Sequence, residues 1–166
     1  MLKQLFGWLR RLKEQVESFA EKPYAEWALA AVAFTESSIF PIPPDVLLIA
    51  LGVLAPLRSF RYALVCSVAS VLGGMFGYLI GLEFFHLVGE TIISFYGVEE
   101  EYRAVQQLYA QNAFVAIAVA GFTPIPYKVF TIAAGAFQVP FATMVIASSV
   151  SRPARFFLVG GLIFWF

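Results

Sequence analysis

Residues 30–52 read AAVAFTESSIFPIPPDVLLIALG, and residues 113–135 read AFVAIAVAGFTPIPYKVFTIAAG. At this 83-residue offset ten of 23 positions are identical: Ala30, Val32, Ala33, Pro41, Ile42, Pro43, Val46, Ile49, Ala50 and Gly52 recur. Each copy carries Pro-Ile-Pro, at Pro41-Ile42-Pro43 and Pro124-Ile125-Pro126, two residues before a charge (Asp45, Lys128) and nine before a glycine (Gly52, Gly135). The chain reads as internally duplicated. Backbone freed by proline at membrane depth survives only where protein or a wet cavity satisfies it, so paired proline-broken apolar segments point to a solute pathway.

Composition places the duplication in a bilayer. Of 166 residues, 60% are hydrophobic and 13% charged, with a mean hydropathy of +0.79, well beyond the needs of a soluble domain. Apolar runs cover Trp27–Pro56, Tyr62–Leu82, Ala113–Ser151 and Phe156–Phe166. Zero formal net charge gives no nucleic-acid signal. The lone Cys66, inside an apolar run, gives neither a disulfide framework nor a metal cluster, and reads as a packing residue.

Working outward, Trp27–Phe40 is 14 residues, about 21 Å of helix against a hydrocarbon core of about 30 Å. Pro41, Pro43 and Pro44 interrupt it, and Val46–Ala55 is shorter still. Five basic residues (Lys3, Arg10, Arg11, Lys13, Lys22) precede this segment, and Arg58 and Arg61 follow it. A re-entrant hairpin over about 25–56 keeps all of them on the cytoplasmic side, whereas a kinked span separates them. Residues 1–22 step Leu2, Leu5, Leu9, Leu12, Val16 and Phe19, the apolar face of an amphipathic interfacial helix rather than a cleavable signal. A soluble helix packed on a partner is the alternative there.

Tyr62–Leu82 is 21 residues without a charge, with Ala69, Gly73, Gly77 and Gly81 at four-residue intervals. That small-residue stripe marks a spanning helix packed closely by neighbours. Glu83, Glu90, Glu99, Glu100 and Glu101, with Arg103 the one cation, suit the outer face. Residues 84–112 read as interfacial helices broken at Tyr96-Gly97, with Tyr102 and Tyr109 near the headgroups, and the unpartnered His86 reads as a surface residue. The second hairpin, about 113–137, then enters from the outside, so the hairpins meet tip to tip. A final segment, Phe141–Phe166, carries Arg152, Pro153 and Arg155, and its abrupt apolar end predicts that the natural chain continues.

Five ionisable residues fall in apolar segments: Glu36, Asp45, Lys128, Arg152 and Arg155. Each costs about 3 kcal/mol at the centre of an inserted helix and needs a partner or water. Asp45 is placed to cap the half-helix after Pro44. Lys128 occupies the equivalent position, where a cation is unfavourable unless an anion intervenes. Arg152 and Arg155, three apart, share a face, and with Lys128 they form a candidate phosphate cradle. Glu36 is the candidate for proton coupling. The bland reading is a closed set of ion pairs holding the hairpins together.

The stretches Phe34–Asp45, Gly73-Gly74…Gly77-Tyr78…Gly81 and Pro124…Gly135 resemble the DedA family, bacterial relatives of the VTT-domain lipid scramblases, over about residues 25–165. The resemblance implies an all-α membrane domain (23–166) built as an inverted repeat, with two opposed re-entrant hairpins plus spanning helices. It implies movement of phosphorylated lipids, undecaprenyl phosphate among them, in the bacterial inner membrane, with Glu36 and Asp45 at the family's acidic positions. The second hairpin departs: many members read Gly-Arg-Phe-x-Pro-Gly-x-Arg where this chain has Gly121-Phe122-Thr123-Pro124-Ile125-Pro126-Tyr127-Lys128. Its arginines lie instead on the last segment.

The expected partners are lipids with phosphate headgroups, with a second copy of the chain left open and no cofactor, metal or nucleic acid. Two alternatives stand: a non-transporting scaffold or envelope-maintenance factor, and a lipid-phosphate phosphatase. Arg152-Pro153 alone is slight support for the phosphatase, and no Ser-Gly-His follows it. The chain is therefore expected not to be an enzyme.

Overall fold

The computed structural model describes residues 24–39, 43–97 and 99–165, so the predicted interfacial helix 1–22 and Pro41 lie outside the described residues. Every regular element among them is helical. In chain order these are α1 (Tyr24–Ser38), α2 (Pro44–Leu54), α3 (Ser59–Phe84), α4 (Glu90–Tyr96), α5 (Glu99–Phe122), α6 (Tyr127–Ala136) and α7 (Phe141–Trp165). A 3-10 turn, Pro56–Arg58, leads into α3, and a π-helical stretch, Phe85–Gly89, leads out of it.

The 83-residue offset recurs in two helix starts. α2 starts at Pro44 and α6 at Tyr127, 83 residues apart, each following a proline with extended backbone (Pro43, Pro126). Proline lacks an N–H and fixes φ, so it ends one half-helix and preorganises the next. α6 lies on α3, and α2 lies against both α7 and α3. Gly52 of α2 accordingly rests against Ile163 of α7, and Gly135 of α6 against the Tyr78–Leu82 backbone of α3.

α3 is the central element. With its flanking turns it forms a helical stretch, Pro56–Gly89, of 34 residues whose most apolar 18-residue window has a mean hydropathy of 2.0, the one stretch among the described residues long and apolar enough to cross a bilayer. The glycine stripe faces inward. A Cβ at Gly73 would strike the Phe34 carbonyl of α1, one at Gly81 the Ile132 carbonyl of α6, and one at Gly77 would lie 2.9 Å from Thr131 Oγ1 and 3.5 Å from the Ser37 carbonyl. The stripe thus seats both half-helices against one rail, as small residues permit where no hydrophobic force draws helices together. On the opposite face Leu64, Val68, Leu72 and Phe76 are exposed, and the fully buried positions include Ser67 and Ser70. This polarity, with small and polar residues inside and large apolar side chains outside, is what an apolar solvent selects.

One boundary differs from the sequence reading. The expected division near 112/113 does not exist: α5 runs unbroken through Asn112 and Ala113 for 24 residues. Polarity changes there, but with neither glycine nor proline the backbone ladder has no reason to stop. The break at Gly97 is present, in a left-handed conformation with φ 63°. Glycine tolerates that conformation without a Cβ penalty. The last segment is a single helix with Pro153 inside it.

Candidate functional site

All five charges of the apolar segments converge. Glu36, Asp45, Lys128, Arg152 and Arg155 line one cavity of ≈ 430 Å³, together with Pro43, Pro44, Pro124, Ile125 and Pro126 from the two breaks. Glu36 comes from the last turn of α1, Asp45 from the first turn of α2, Lys128 from the first turn of α6 and both arginines from mid-α7. Neither α2 nor α6 has a side-chain cap at its N-terminus, since Pro43 and Pro126 occupy the cap positions. The capping role expected of Asp45 is therefore corrected: it lies within the helix, and one carboxylate oxygen, Oδ2, accepts instead from Arg155 Nη2. With Pro43 at the cap and Pro44 as the first helical residue, Asp45 lies two residues past the capping position.

Arg152 is fixed from every side. Its side chain is 3% exposed and its Nη2 lies 2.9 Å from Glu36 Oε2. The same nitrogen donates to Ser37 Oγ at 3.3 Å, and Nε donates to Ser70 Oγ. The guanidinium carbon sits 4.8 Å from the ring centroids of both Tyr127 and Phe156. Phe156 belongs to the core formed with Leu29, Leu48 and Tyr62, and Tyr127 to the core formed with Ile117 and Met144. Arg152 thus joins two apolar cores through stacking suited to a planar cation.

Arg155 is looser. It donates to the Thr123 carbonyl and to Asp45, both side chains of the pair being 20% exposed. Asp45 Oδ1 is buried without a hydrogen-bond partner. Lys128 is half-buried, and its ammonium makes no ion pair among the described residues. The three cations expected to stand together are thus divided, with two arginines each holding a carboxylate and one lysine left over.

Several supporting residues escaped the sequence reading. Ser37 and Ser70 share a 2.6 Å hydrogen bond, and the Tyr127 hydroxyl donates to Ser148. Ser70 lies three residues before Gly73 on the small-residue face, a spacing that could have revealed it. Tyr102, Gln106 and Tyr109, at helical spacing on α5, reach carbonyls of the α6 region: Ala136 at 2.8 Å, Phe137 at 2.9 Å and Phe130 at 2.7 Å. The tyrosines expected near headgroups bind protein backbone: Tyr102 and Gln106 reach carbonyls at the C-terminal end of α6, where the helix offers them no partner, and Tyr109 one inside the helix. His86 is exposed, as expected, and Cys66 is buried in the first core. Among the described residues no cluster of His, Cys, Asp or Glu is arranged to hold a metal.

A family model, the VTT domain, matches residues 42–163. An uncharacterized protein of Haemophilus influenzae is 38% identical over 98% of this chain and 82% of its own length. One from Histophilus somni is 34% identical over 98% of this chain and 83% of its own length. One from Methanocaldococcus jannaschii is 27% identical, covering 81% of each. No solved structure matches the chain significantly. With the proline-broken repeat, the glycine rail and most of α1–α7 inside or bordering the matched span, the chain belongs to the VTT-domain, or DedA, family of membrane proteins.

Proposed function

We propose that this protein moves a phosphorylated lipid, undecaprenyl phosphate or a phospholipid, across the bacterial inner membrane. The observation that carries the reading is the convergence of Lys128, Arg152 and Arg155 with two uncapped helix N-termini on one ≈ 430 Å³ cavity at the proline breaks. Free N–H groups, positive helix ends and cations together favour a phosphate. In this reading the α1–α2 and α5–α6 units are opposed re-entrant hairpins of an inverted repeat, the N-terminus is cytoplasmic, and the acyl chains stay in lipid along the exposed apolar faces. Glu36 and Asp45 hold the two arginines in internal pairs, and protonation of Glu36 would bias the balance between headgroup-bound and internally paired states, which is what coupling requires. Reconstitution tests it: vesicles containing the protein should translocate undecaprenyl phosphate faster than protein-free vesicles, and equal rates across several anionic lipids would sink the proposal.

A second reading has its own observation. Both arginines are paired with carboxylates, so the charges can be taken as bolts of a non-transporting scaffold. Exchanging the charges of a pair separates the two, since structural bolts tolerate exchange and a headgroup site does not. Phosphatase chemistry has less support. His86, the one histidine of the chain, is absent from the cavity lining, so a phosphohistidine route has no nucleophile there.

A further inference from the structure

The two ion pairs lining the cavity are built differently, and the difference assigns them different tasks. Arg152 is 3% exposed, stacked against two aromatic rings and hydrogen-bonded to Ser37, Ser70 and Glu36. Arg155 and Asp45 are each 20% exposed. Their contact uses a single carboxylate oxygen, while the other, Oδ1, is buried and unpartnered. Lys128, on the same cavity, has no ion pair among the described residues.

We infer that Asp45 is an exchangeable internal occupant of the anion site: an entering phosphate displaces its carboxylate from Arg155 and is held by Arg155 and Lys128, while Arg152 stays with Glu36 as a positioning residue. This rests on the reading of the cavity as a phosphate site. Three features make the exchange favourable. Arg155 keeps its bond to the Thr123 carbonyl when Asp45 leaves, so its fork remains aimed. A phosphate gives the guanidinium and the Lys128 ammonium a shared acceptor, which a half-engaged carboxylate does not. Released Asp45 remains in the first turn of α2, where the helix dipole suits a carboxylate. Arg152 has no comparable incentive, because leaving Glu36 would strand buried donors and the two serines that hold them.

The exchange predicts a gain of binding, which a structural role for Asp45 does not. The full chain, in nanodiscs of phosphatidylcholine containing a minor fraction of phosphatidic acid, is released for native mass spectrometry, and retained phosphatidic acid is compared with retained phosphatidylcholine. Asp45→Asn should raise the affinity for phosphatidic acid roughly tenfold by removing the internal competitor, and Arg155→Gln should lower it by a similar factor. Glu36→Gln should gain less than Asp45→Asn, because the carboxylate it neutralises pairs with Arg152 and not with Arg155. Inorganic phosphate, supplied in place of the lipid and read by melting temperature, distinguishes a free anion from a headgroup, and an Asp45→Asn gain with either probe supports the exchange. If wild type prefers phosphatidic acid but Asp45→Asn binds no better, or Glu36→Gln gains as much, the division of tasks is overturned while the phosphate reading stands. If wild type, Asp45→Asn and Arg155→Gln all fail to distinguish either probe from phosphatidylcholine, the phosphate reading falls, and the exchange falls with it.

Discussion

Arg152 and Glu36 meet at 2.9 Å although 116 residues separate them, one on the last long helix and the other at the end of the first. Neither charge would be tolerable alone in an apolar helix. Together, with Ser37 and Ser70, they make a polar junction on which α1, α3 and α7 agree.

Arg152→Ala should therefore destabilise the protein by about 3 kcal/mol, since removing one partner of a buried pair leaves the other uncompensated. Unfolding in detergent, followed by circular dichroism, measures it. The double exchange Glu36→Arg with Arg152→Glu should recover part of the loss if the junction is chiefly structural.

The glycine rail gives a graded prediction. Gly81→Ala and Gly135→Ala would each drive a methyl into backbone, the Ile132 and Tyr78 carbonyls respectively. Each should cost about 1–3 kcal/mol as the helices part. Gly161→Ala has open space around its Cβ and should be neutral or stabilising, because alanine is the better helix former. Equal effects at all three would mean that the helices are not packed as described.

Topology can be read by labelling. Arg58→Cys should react with a membrane-impermeant thiol reagent only after the cell interior is opened, whereas cysteines between residues 99 and 108 should react from outside. Cys66 is fully buried and contributes little background. Labelling of position 58 in intact cells would leave an ordinary kinked span in place of a hairpin.

Transport should depend on charge in two separable ways. Lys128→Gln should slow translocation of undecaprenyl phosphate in vesicles at every pH, since a headgroup contact is lost. Glu36→Gln should leave a rate that no longer responds to pH. A variant at position 36 with the wild-type pH profile would remove Glu36 from any coupling role.

Tyr109→Phe tests the link between α5 and α6. Loss of the bond to the Phe130 carbonyl should cost about 1 kcal/mol. The melting temperature should fall modestly, with lipid selectivity unchanged.

The sequence alone determined what depends on neighbours along the chain. Pro43, Pro44, Pro124 and Pro126 break helices because proline has no N–H to give, Gly97 turns the chain because it lacks a Cβ, and Gly73, Gly77 and Gly81 share a face because four residues make about one turn. Periodicity and hydropathy were enough to assign an all-helical membrane protein and to nominate five charges. Tertiary structure alone decided which charge meets which: Arg152 takes Glu36, Arg155 takes Asp45, and Lys128 is left to the cavity. It also decided which backbone carbonyls Tyr102 and Tyr109 bind. The physical reason is that ion pairs and hydrogen bonds are made within about 3 Å. Whether two side chains more than a hundred residues apart come that close depends on the rotation and depth of each helix. Those are set by how the glycine rail seats α1 and α6, a property of the packed whole that no local stretch of sequence contains.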